Sequence, residues 1–344
     1  MTTLYEAEIA DGLAEIACNE VHALIGKEGK IHKQHRSNEV PFAYSGDVNR
    51  LLELQTVLAV YSVMRFSVPR PRALLGHQNF QRILENIRAI MQLYGHNAYE
   101  SLYISAAGSD SSVMTRIKAE ISQALGLVIA QDEGDLRLRI RPSPSVWNSW
   151  DVLVRLSPRP LATRTWRDCN MEGALNASVA NAMIRLTKPT PQDTFLNIAC
   201  GSGTIMIERL AYMAAKQVIG CDIRYSALNC AENNIRASSY HDMQLMYSDG
   251  TNSPFANNSV DALCADLPFG QLVGSHQENE WLYPAILSEA ARVARPSARF
   301  VVITHEIRLM ENVLALATDW RIKNNHMITL SGLHPRIFVL ERTK

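Results

Sequence analysis

Two short stretches of the chain hold residues whose types and spacing suit chemistry. The first is Asp266-Leu267-Pro268-Phe269-Gly270, directly after the strand-like run VDALCA. It sets a carboxylate, a carbonyl held by the following proline and an aromatic ring at the carboxyl end of an expected strand, where open α/β sheets keep their ligand crevice. Methylation of an exocyclic amine on a planar base needs such a set, because that nitrogen's lone pair is delocalised into the ring and weakly nucleophilic. The Asp266 carboxylate and the Leu267 carbonyl would hold the two N–H groups, and Phe269 would stack on the base, so that orientation supplies much of the rate. Asp266 would also take the proton released. The plainer alternative is a strand-ending turn with a capping Asp and a core Phe.

The second stretch is Asn197-Ile198-Ala199-Cys200-Gly201-Ser202-Gly203-Thr204, between a strand-like and a helix-like run. Two glycines one apart let the backbone turn tightly, and the helix start beyond them offers amide donors. Asp222 follows 21 residues after Gly201, at the end of the next expected strand, where an acid can take both hydroxyls of a ribose. Position 206 is Met, so the third glycine of the dinucleotide fingerprint is missing and a pyrophosphate-bearing cofactor is disfavoured. S-adenosylmethionine, which has a ribose and an adenine but no phosphate, suits the set better. The expected cofactor residues are Asn197, Cys200, Gly201, Ser202, Gly203, Thr204, Asp222, Ile223, Asp249 and Gly250, with Asp249 accepting from the adenine amine. For Asp222 and Asp249 the competing reading is a helix N-cap.

The elements that must position these groups follow from periodicity. From about residue 172 strands and helices alternate: TFLNIA, TIMIERLAYMAA, QVIGCDI, SALNCAENNIRA, VDALCADL, a helix near YPAILSEAARVA, ARFVVITHE, then two strands near WRIKNNHMITL and RIFVLERT. That rhythm means a doubly wound, mostly parallel sheet. Before it the pattern is mixed and short. LYEAEIA reads as a strand, GLAEIACNEVHAL and SGDVNRLLEL as helices, ENIRAIMQLY as a helix and SLYISAAG as a strand. A helix capped by Ser111 follows, then the alternating strands DLRLRIRP and WDVLVRLSP. Two small α+β units fit this arrangement.

Composition bounds the rest. The chain has 344 residues, 47% of them apolar, with 34 basic against 34 acidic side chains. It has ample core and no run long enough for a membrane-spanning helix. Its acidic start is unlike a signal peptide, so a cytoplasmic protein is expected. Zero net charge excludes a globally basic nucleic-acid coater, yet the charge is uneven: residues 1–60 balance at −4, 61–167 at +6 and 168–344 at −2. The arginine-rich middle is the candidate polyanion face, against an ordinary solvated surface as the bland reading. The six cysteines show no C-x-x-C pair and read as reduced, mostly buried thiols, and no histidine spacing suggests a metal.

CGSGTIMIE with DLPFG, followed by QLVGSHQENEWLYPAILSEAARVARPSARFVVIT, resembles the THUMP-domain RNA guanine-N2-methyltransferases, above all those acting on a guanosine of the tRNA acceptor stem. The resemblance extends to LYEAEIADGLAEIACNEV as the start of a ferredoxin-like domain. SLYISAAGSDSSVMTRIKAEISQALGL with DLRLRIRP and WDVLVRLSP is similar to the second half of a THUMP domain. RTWRDCNMEGALNASVANAMIRL resembles the segment that closes over the methionine end of the cofactor. It implies a class I Rossmann-like methyltransferase domain with a mostly parallel seven-stranded sheet at 161–344. A ferredoxin-like domain at 1–60 and a THUMP domain at 61–160 would precede it. The implied activity is formation of N2-methylguanosine in tRNA, at position 6 or nearby, by a monomer with no activating subunit indicated. The sequence departs from the family at Asn197, where an acid is usual, and at Leu267 and Phe269. Ribosomal RNA guanine-N2 methylation, adenine-N6 methylation of DNA and non-catalytic RNA binding are the rival readings. Arg164, Trp166 and Arg167 are expected at a domain junction, Glu208 and Arg209 on a helix surface, and Trp281 and Tyr283 in the core.

Overall fold

A computed structural model describes residues 2–106, 108–268, 275–329 and 332–343. The chain separates into two compact units, Met1–Ile9 with Ala17–Ala162, and Ala10–Ile16 with Thr163–Lys344. Its described helices include none long and apolar enough to cross a membrane.

The first unit is built on strands β1 (Thr3–Glu8), β2 (Gly29–Ile31), β3 (Glu39–Tyr44), β4 (Ala59–Phe66), β5 (Ser101–Ala106), β6 (Val128–Ile129), β7 (Leu136–Pro142) and β8 (Trp150–Arg155). They form one sheet in the order β2-β3-β1-β4-β8-β7-β5-β6. Position 60 therefore lies inside β4, which pairs with β1 on one side and β8 on the other. The segments 1–60 and 61–160 share a continuous sheet. Helices α1 (Ala14–Ile25), α2 (His77–Met91) and α3 (Ser112–Leu125) accompany it. Ser111 caps α3 by accepting from the Met114 amide, and Gly126 ends it at φ 69°, the left-handed conformation glycine tolerates. The expected helix over SGDVNRLLEL is a 3-10 turn, Val48–Glu53, capped by Asp47. β7 alternates buried and half-buried residues as its sequence does, whereas β8 is buried on both faces from Asp151 onward.

Several arginines of the basic middle segment turn inward. Arg139 pairs with Glu8, Arg141 with Glu6 and Glu39, and Arg65 with Asp151. Arg155, 1% exposed, donates to the carbonyls of Ser157, Gly134, Asp135 and Pro158. Part of the segment's positive excess thus serves the fold: a buried guanidinium needs acceptors for its fan of donors.

The second unit carries β9 (Thr194–Ile198), β10 (Gln217–Asp222), β11 (Gln244–Tyr247), β12 (Val260–Asp266), β13 (Ala294–Thr304), β14 (Trp320–Met327) and β15 (Arg336–Arg342), in the order β11-β10-β9-β12-β13-β15-β14. β11 to β13 pair in parallel, and β15 runs antiparallel between β13 and β14. This is the mostly parallel seven-stranded sheet expected from the family resemblance. Helices α4 (Ala177–Leu186), α5 (Thr204–Tyr212), α6 (Tyr225–Ala237), α7 (His276–Val293) and α8 (Ile307–Leu316) connect the strands. Side chains alternate between two cores, as the pleat requires. Leu196, Ile198, Leu263 and Ala265 join α7 and α8 in one, while Phe195, Ala262 and Cys264 join α4 and α5 in the other. Strand order reverses between β9 and β12, so the crevice opens at their carboxyl ends.

Candidate active site

The turn after β9 is held by backbone geometry that few residues accept. Ala199, Gly201 and Gly203 all have positive φ, at 51°, 52° and 76°. At Gly203 a side chain would meet both that strain and Ala231 Cβ at 3.2 Å. The Cys200 amide donates to the Cys221 carbonyl at 2.9 Å, tying the turn to β10. Asn234, fully buried on α6, donates to the Ser202 carbonyl at 2.9 Å.

Asp222 ends β10 and is 5% exposed. Its two oxygens accept from the backbone amides of Gly201 and Arg224, each at 2.9 Å. It is therefore no helix cap: α6 is preceded by Arg224, which makes no side-chain cap. Each oxygen keeps a second lone pair for a ligand hydroxyl. Asp249 folds into its own turn through Oδ1, which accepts from the Thr251 amide and hydroxyl at 2.8 Å each. Gly250 follows because a Cβ there would sit 2.7 Å from Ile198 Cγ2.

These groups face a crevice of about 290 Å³. Cys200, Gly201, Ser202, Thr204, Asp222, Ile223, Asp249, Gly250, Asp266, Leu267 and Pro268 all line it. Asn197 and Gly203 are not among the lining residues. Asn197 is fully buried and its amide donates to the Ile198 and Cys264 carbonyls, so it bridges β9 and β12. Phe269 and Gly270 lie outside the described residues. Among the described lining residues four are carboxylates, Glu172, Asp222, Asp249 and Asp266, against the single guanidinium of Arg224, itself 3.7 Å from Asp222. That balance repels a pyrophosphate and favours a cationic ligand.

Asp266 stands at the end of β12, in register with Ile303 of β13. Desolvation, with no compensating donor among the described residues, pushes its carboxyl up to about 7. Leu267 donates its amide to the Ile303 carbonyl at 3.1 Å.

Two features of the site's surroundings correct the sequence reading. Trp281, expected in the core, is 65% exposed and lines the crevice, whereas Tyr283 is fully buried as expected. Glu208 and Arg209, expected on a helix surface, are 1% and 0% exposed. Glu208 accepts two bonds from Arg164, at 2.8 and 3.1 Å, and one from Asn181 at 2.9 Å. Arg209 donates to the Met213, Ala214 and Thr190 carbonyls and pairs with Asp193. Trp166 is buried against Ala177 and Ile207.

The cysteines also depart from expectation. Cys169 and Cys230 form a disulfide across 61 residues, although the spacing gave no signal for it. The bond joins α6 to the segment whose residues 171–175 line the crevice. Asn234 fastens the same place, exchanging bonds with the Cys169 amide and carbonyl at 2.8 and 3.0 Å. Cys200, Cys221 and Cys264 are buried free thiols, as expected. Among the described residues no cluster of His, Cys, Asp or Glu could hold a metal ion.

The parallel sheet with its antiparallel edge, the glycine turn and the carboxylates at the strand ends define a class I methyltransferase fold. The profile of the UPF0020 family, described as RMKL-like, methyltransferase domain, matches residues 164–336, and the chain belongs to that family. A mouse protein named tRNA (guanine(6)-N(2))-methyltransferase THUMP3 is 32% identical over 183 residues, covering 49% of this chain and 36% of that protein. The chain thus spans little more than a third of such mammalian relatives. A tRNA (guanine(6)-N2)-methyltransferase of Thermus thermophilus is 24% identical over 343 residues, covering 98% of this chain and 99% of the other. The crystal structure of TrmN from Thermus thermophilus shares the fold, with a TM-score of 0.77 at 21% identity, covering 99% of this chain and all of that one.

Proposed function

We propose that the protein is an S-adenosylmethionine-dependent tRNA methyltransferase that forms N2-methylguanosine, in the acceptor stem at position 6 or beside it. The observation that carries the reading is Asp266, a desolvated carboxylate at the end of β12, in a crevice whose lining is otherwise rich in acids. Relatives bearing that activity in their names support the choice of substrate. Bound in the crevice, S-adenosylmethionine supplies an electrophilic methyl group on a sulfonium, a cation that the acidic lining suits. Asp222 holds the ribose hydroxyls, with its carboxylate plane fixed by the Gly201 and Arg224 amides. Asp249 takes the adenine amine, and the Gly201–Thr204 turn lets the backbone approach closely.

Asp266 accepts one N–H of the guanine amine and the Leu267 carbonyl the other, so that the nitrogen lone pair faces the methyl group. As the nitrogen–carbon bond would form at the expense of the methyl–sulfur bond, the sulfur leaving as a neutral thioether, Asp266 would take the proton the nitrogen sheds. In the empty site the carboxyl is held near 7, so at neutral pH a sizeable fraction is ionised and ready to accept the amine. Phe269 is the base-stacking residue in this proposal. The eight-stranded unit up to residue 160 combines the ferredoxin-like and THUMP parts in one sheet and docks tRNA, and residues 161–344 carry the chemistry. The enzyme works in the cytoplasm.

Incubation of the purified protein with unmodified tRNA and radiolabelled S-adenosylmethionine tests the reading, followed by mass spectrometry of the nucleosides. N2-methylguanosine from the acceptor stem is expected. Label entering only ribosomal RNA or DNA, no transfer at all, or full activity in Asp266→Ala would overturn it.

A further inference from the structure

Pro268, third residue of the catalytic stretch, is held by a group outside that stretch. Its carbonyl accepts from the Tyr283 hydroxyl at 2.7 Å. The same hydroxyl lies 2.6 Å from Thr304 Oγ1, which in turn accepts from the Glu306 amide at 3.0 Å. Both side chains are fully buried, Tyr283 on α7 and Thr304 at the end of β13.

The ends of this row fix the direction of every hydrogen in it. A carbonyl only accepts, so Tyr283 must donate to Pro268. An amide only donates, so Thr304 must receive from Glu306 and give its own hydrogen to Tyr283. The order is Glu306 amide, Thr304 hydroxyl, Tyr283 hydroxyl, Pro268 carbonyl, with each donor used once. No alternative orientation satisfies all four groups. A buried hydroxyl left without its acceptor is costly, so displacement of Pro268 would strand the whole row.

We infer that Tyr283 and Thr304 are positioning residues for the methyl-transfer reaction: together they lock the Asp266-Leu267-Pro268 backbone in its productive orientation. The inference rests on the function proposed above. The stretch is then gripped at two points. The Leu267 amide is pinned to β13 through the Ile303 carbonyl, and the Pro268 carbonyl is pinned through the hydroxyl row. With both in place the Leu267 carbonyl between them has little freedom to swing. That carbonyl is one of the two acceptors assigned to the guanine amine, and misplacement by an ångström can lose about a hundredfold in rate.

Tyr283→Phe keeps the ring and removes the hydroxyl, and Thr304→Val breaks the row one step earlier. Each is expected to lower kcat for tRNA methylation about 10- to 100-fold, with KM for both substrates within about twofold of the parent. The double variant should be no slower than Tyr283→Phe, because the two hydroxyls act as one row. Thr304→Ser, which keeps the hydroxyl, should recover most of the rate. Hydrogen exchange gives a second readout that needs no substrate: the Leu267 amide should exchange faster in Tyr283→Phe and Thr304→Val than in the parent. An active parent with an equally active Tyr283→Phe overturns this inference alone. Multiplicative losses in the double variant, or unchanged Leu267 exchange, overturn it as well. A parent inactive on tRNA overturns the proposed function instead, and the exchange measurement then decides the inference by itself.

Discussion

Replacing Asp266 with Asn should act in opposite directions on stability and on activity, and both effects follow from one number. Desolvation raises the carboxyl from 3.8 to about 7 in the folded chain, with no opposing partner among the described residues. Each pKa unit corresponds to about 1.4 kcal/mol, so the ionised carboxylate destabilises the folded state by at most about 4 kcal/mol. The side chain keeps some contact with the crevice, and about 2 to 4 kcal/mol is the working range. The sign follows from proton counting. Between 3.8 and about 7 the folded chain holds a proton that the unfolded chain has released, so stability falls as pH rises through that window. Below 3.8 the penalty is absent, and above about 7 it is complete.

Asn carries no charge and escapes the penalty. Without ligand, Asp266→Asn should therefore match the parent near pH 4 and exceed it by about 2 to 4 kcal/mol at pH 8, measured by urea unfolding. In a chain of this size that is roughly 3 to 6 °C in melting temperature. Activity runs the other way. Taking up the proton shed by the amine requires the ionised carboxylate, so kcat/KM of the parent should rise tenfold per pH unit and level off above about 7. Asp266→Asn should lose at least about a hundredfold and show no such rise. The reasoning is refuted if the stability difference is the same at pH 4 and pH 8, or if parental activity is flat from pH 6 to 8.

Three further outcomes are expected. Glu208→Ala removes the acceptor of a bidentate Arg164 bond in a dry site and should destabilise the protein by about 3 to 5 kcal/mol in urea unfolding; a change below about 1 would contradict the pairing seen here. Opening the Cys169–Cys230 bond with dithiothreitol, or by Cys169→Ser, releases a loop closed across 61 residues. It should remove up to about 4 kcal/mol and weaken cofactor affinity in calorimetry, while equal stability with and without reductant would count against the crosslink. Asp222→Ala takes away the acceptor of two backbone amides along with the proposed ribose contact. S-adenosylmethionine binding should weaken about 10- to 100-fold with tRNA affinity unchanged, and equal loss of both would break the proposed division of labour.

What was legible in the sequence is what depends on neighbours along the chain. The glycine turn, the acid 21 residues on and the carboxylate ending β12 each follow from a strand meeting a turn, and six of the seven strands follow from alternating periods, the short edge strand β11 being the exception. The features that escaped all need a partner fixed by tertiary structure. Nothing local tells Cys169 that Cys230 stands 5.4 Å away across 61 residues, Cα to Cα. Glu208 and Arg209 read as surface because charged residues on a helix usually are. α5 is instead buried all round from Thr204 to Arg209, so its charges had to find acceptors and donors inside. Likewise the arginine excess of 61–167 counted residues without showing that Arg139, Arg141 and Arg155 are held by Glu8, Glu6, Glu39 and main-chain carbonyls. Asn197 followed the family's acid into the expected cofactor set, yet the β period of two turns it away from the face that carries Ile198 into the crevice.

The same comparison explains why Asp266 stands out physically. Glu289 is more buried than the half-buried Asp266, at 8% exposed, but it accepts from Arg292 and from the Ser253 hydroxyl and amide, and these donors pull its carboxyl down to about 2. Desolvation acts on both groups; donors act on one. Where a carboxylate serves the fold, as at Glu289 and Glu208, its lone pairs are filled by the chain itself. At Asp266 no donor among the described residues fills them, and a carboxyl near 7 leaves a demand for N–H donors there. A guanine amine meets that demand, so its binding should draw the carboxyl back toward the ordinary range. The destabilisation carried by the empty site would then be returned as affinity for a ligand that presents donors there.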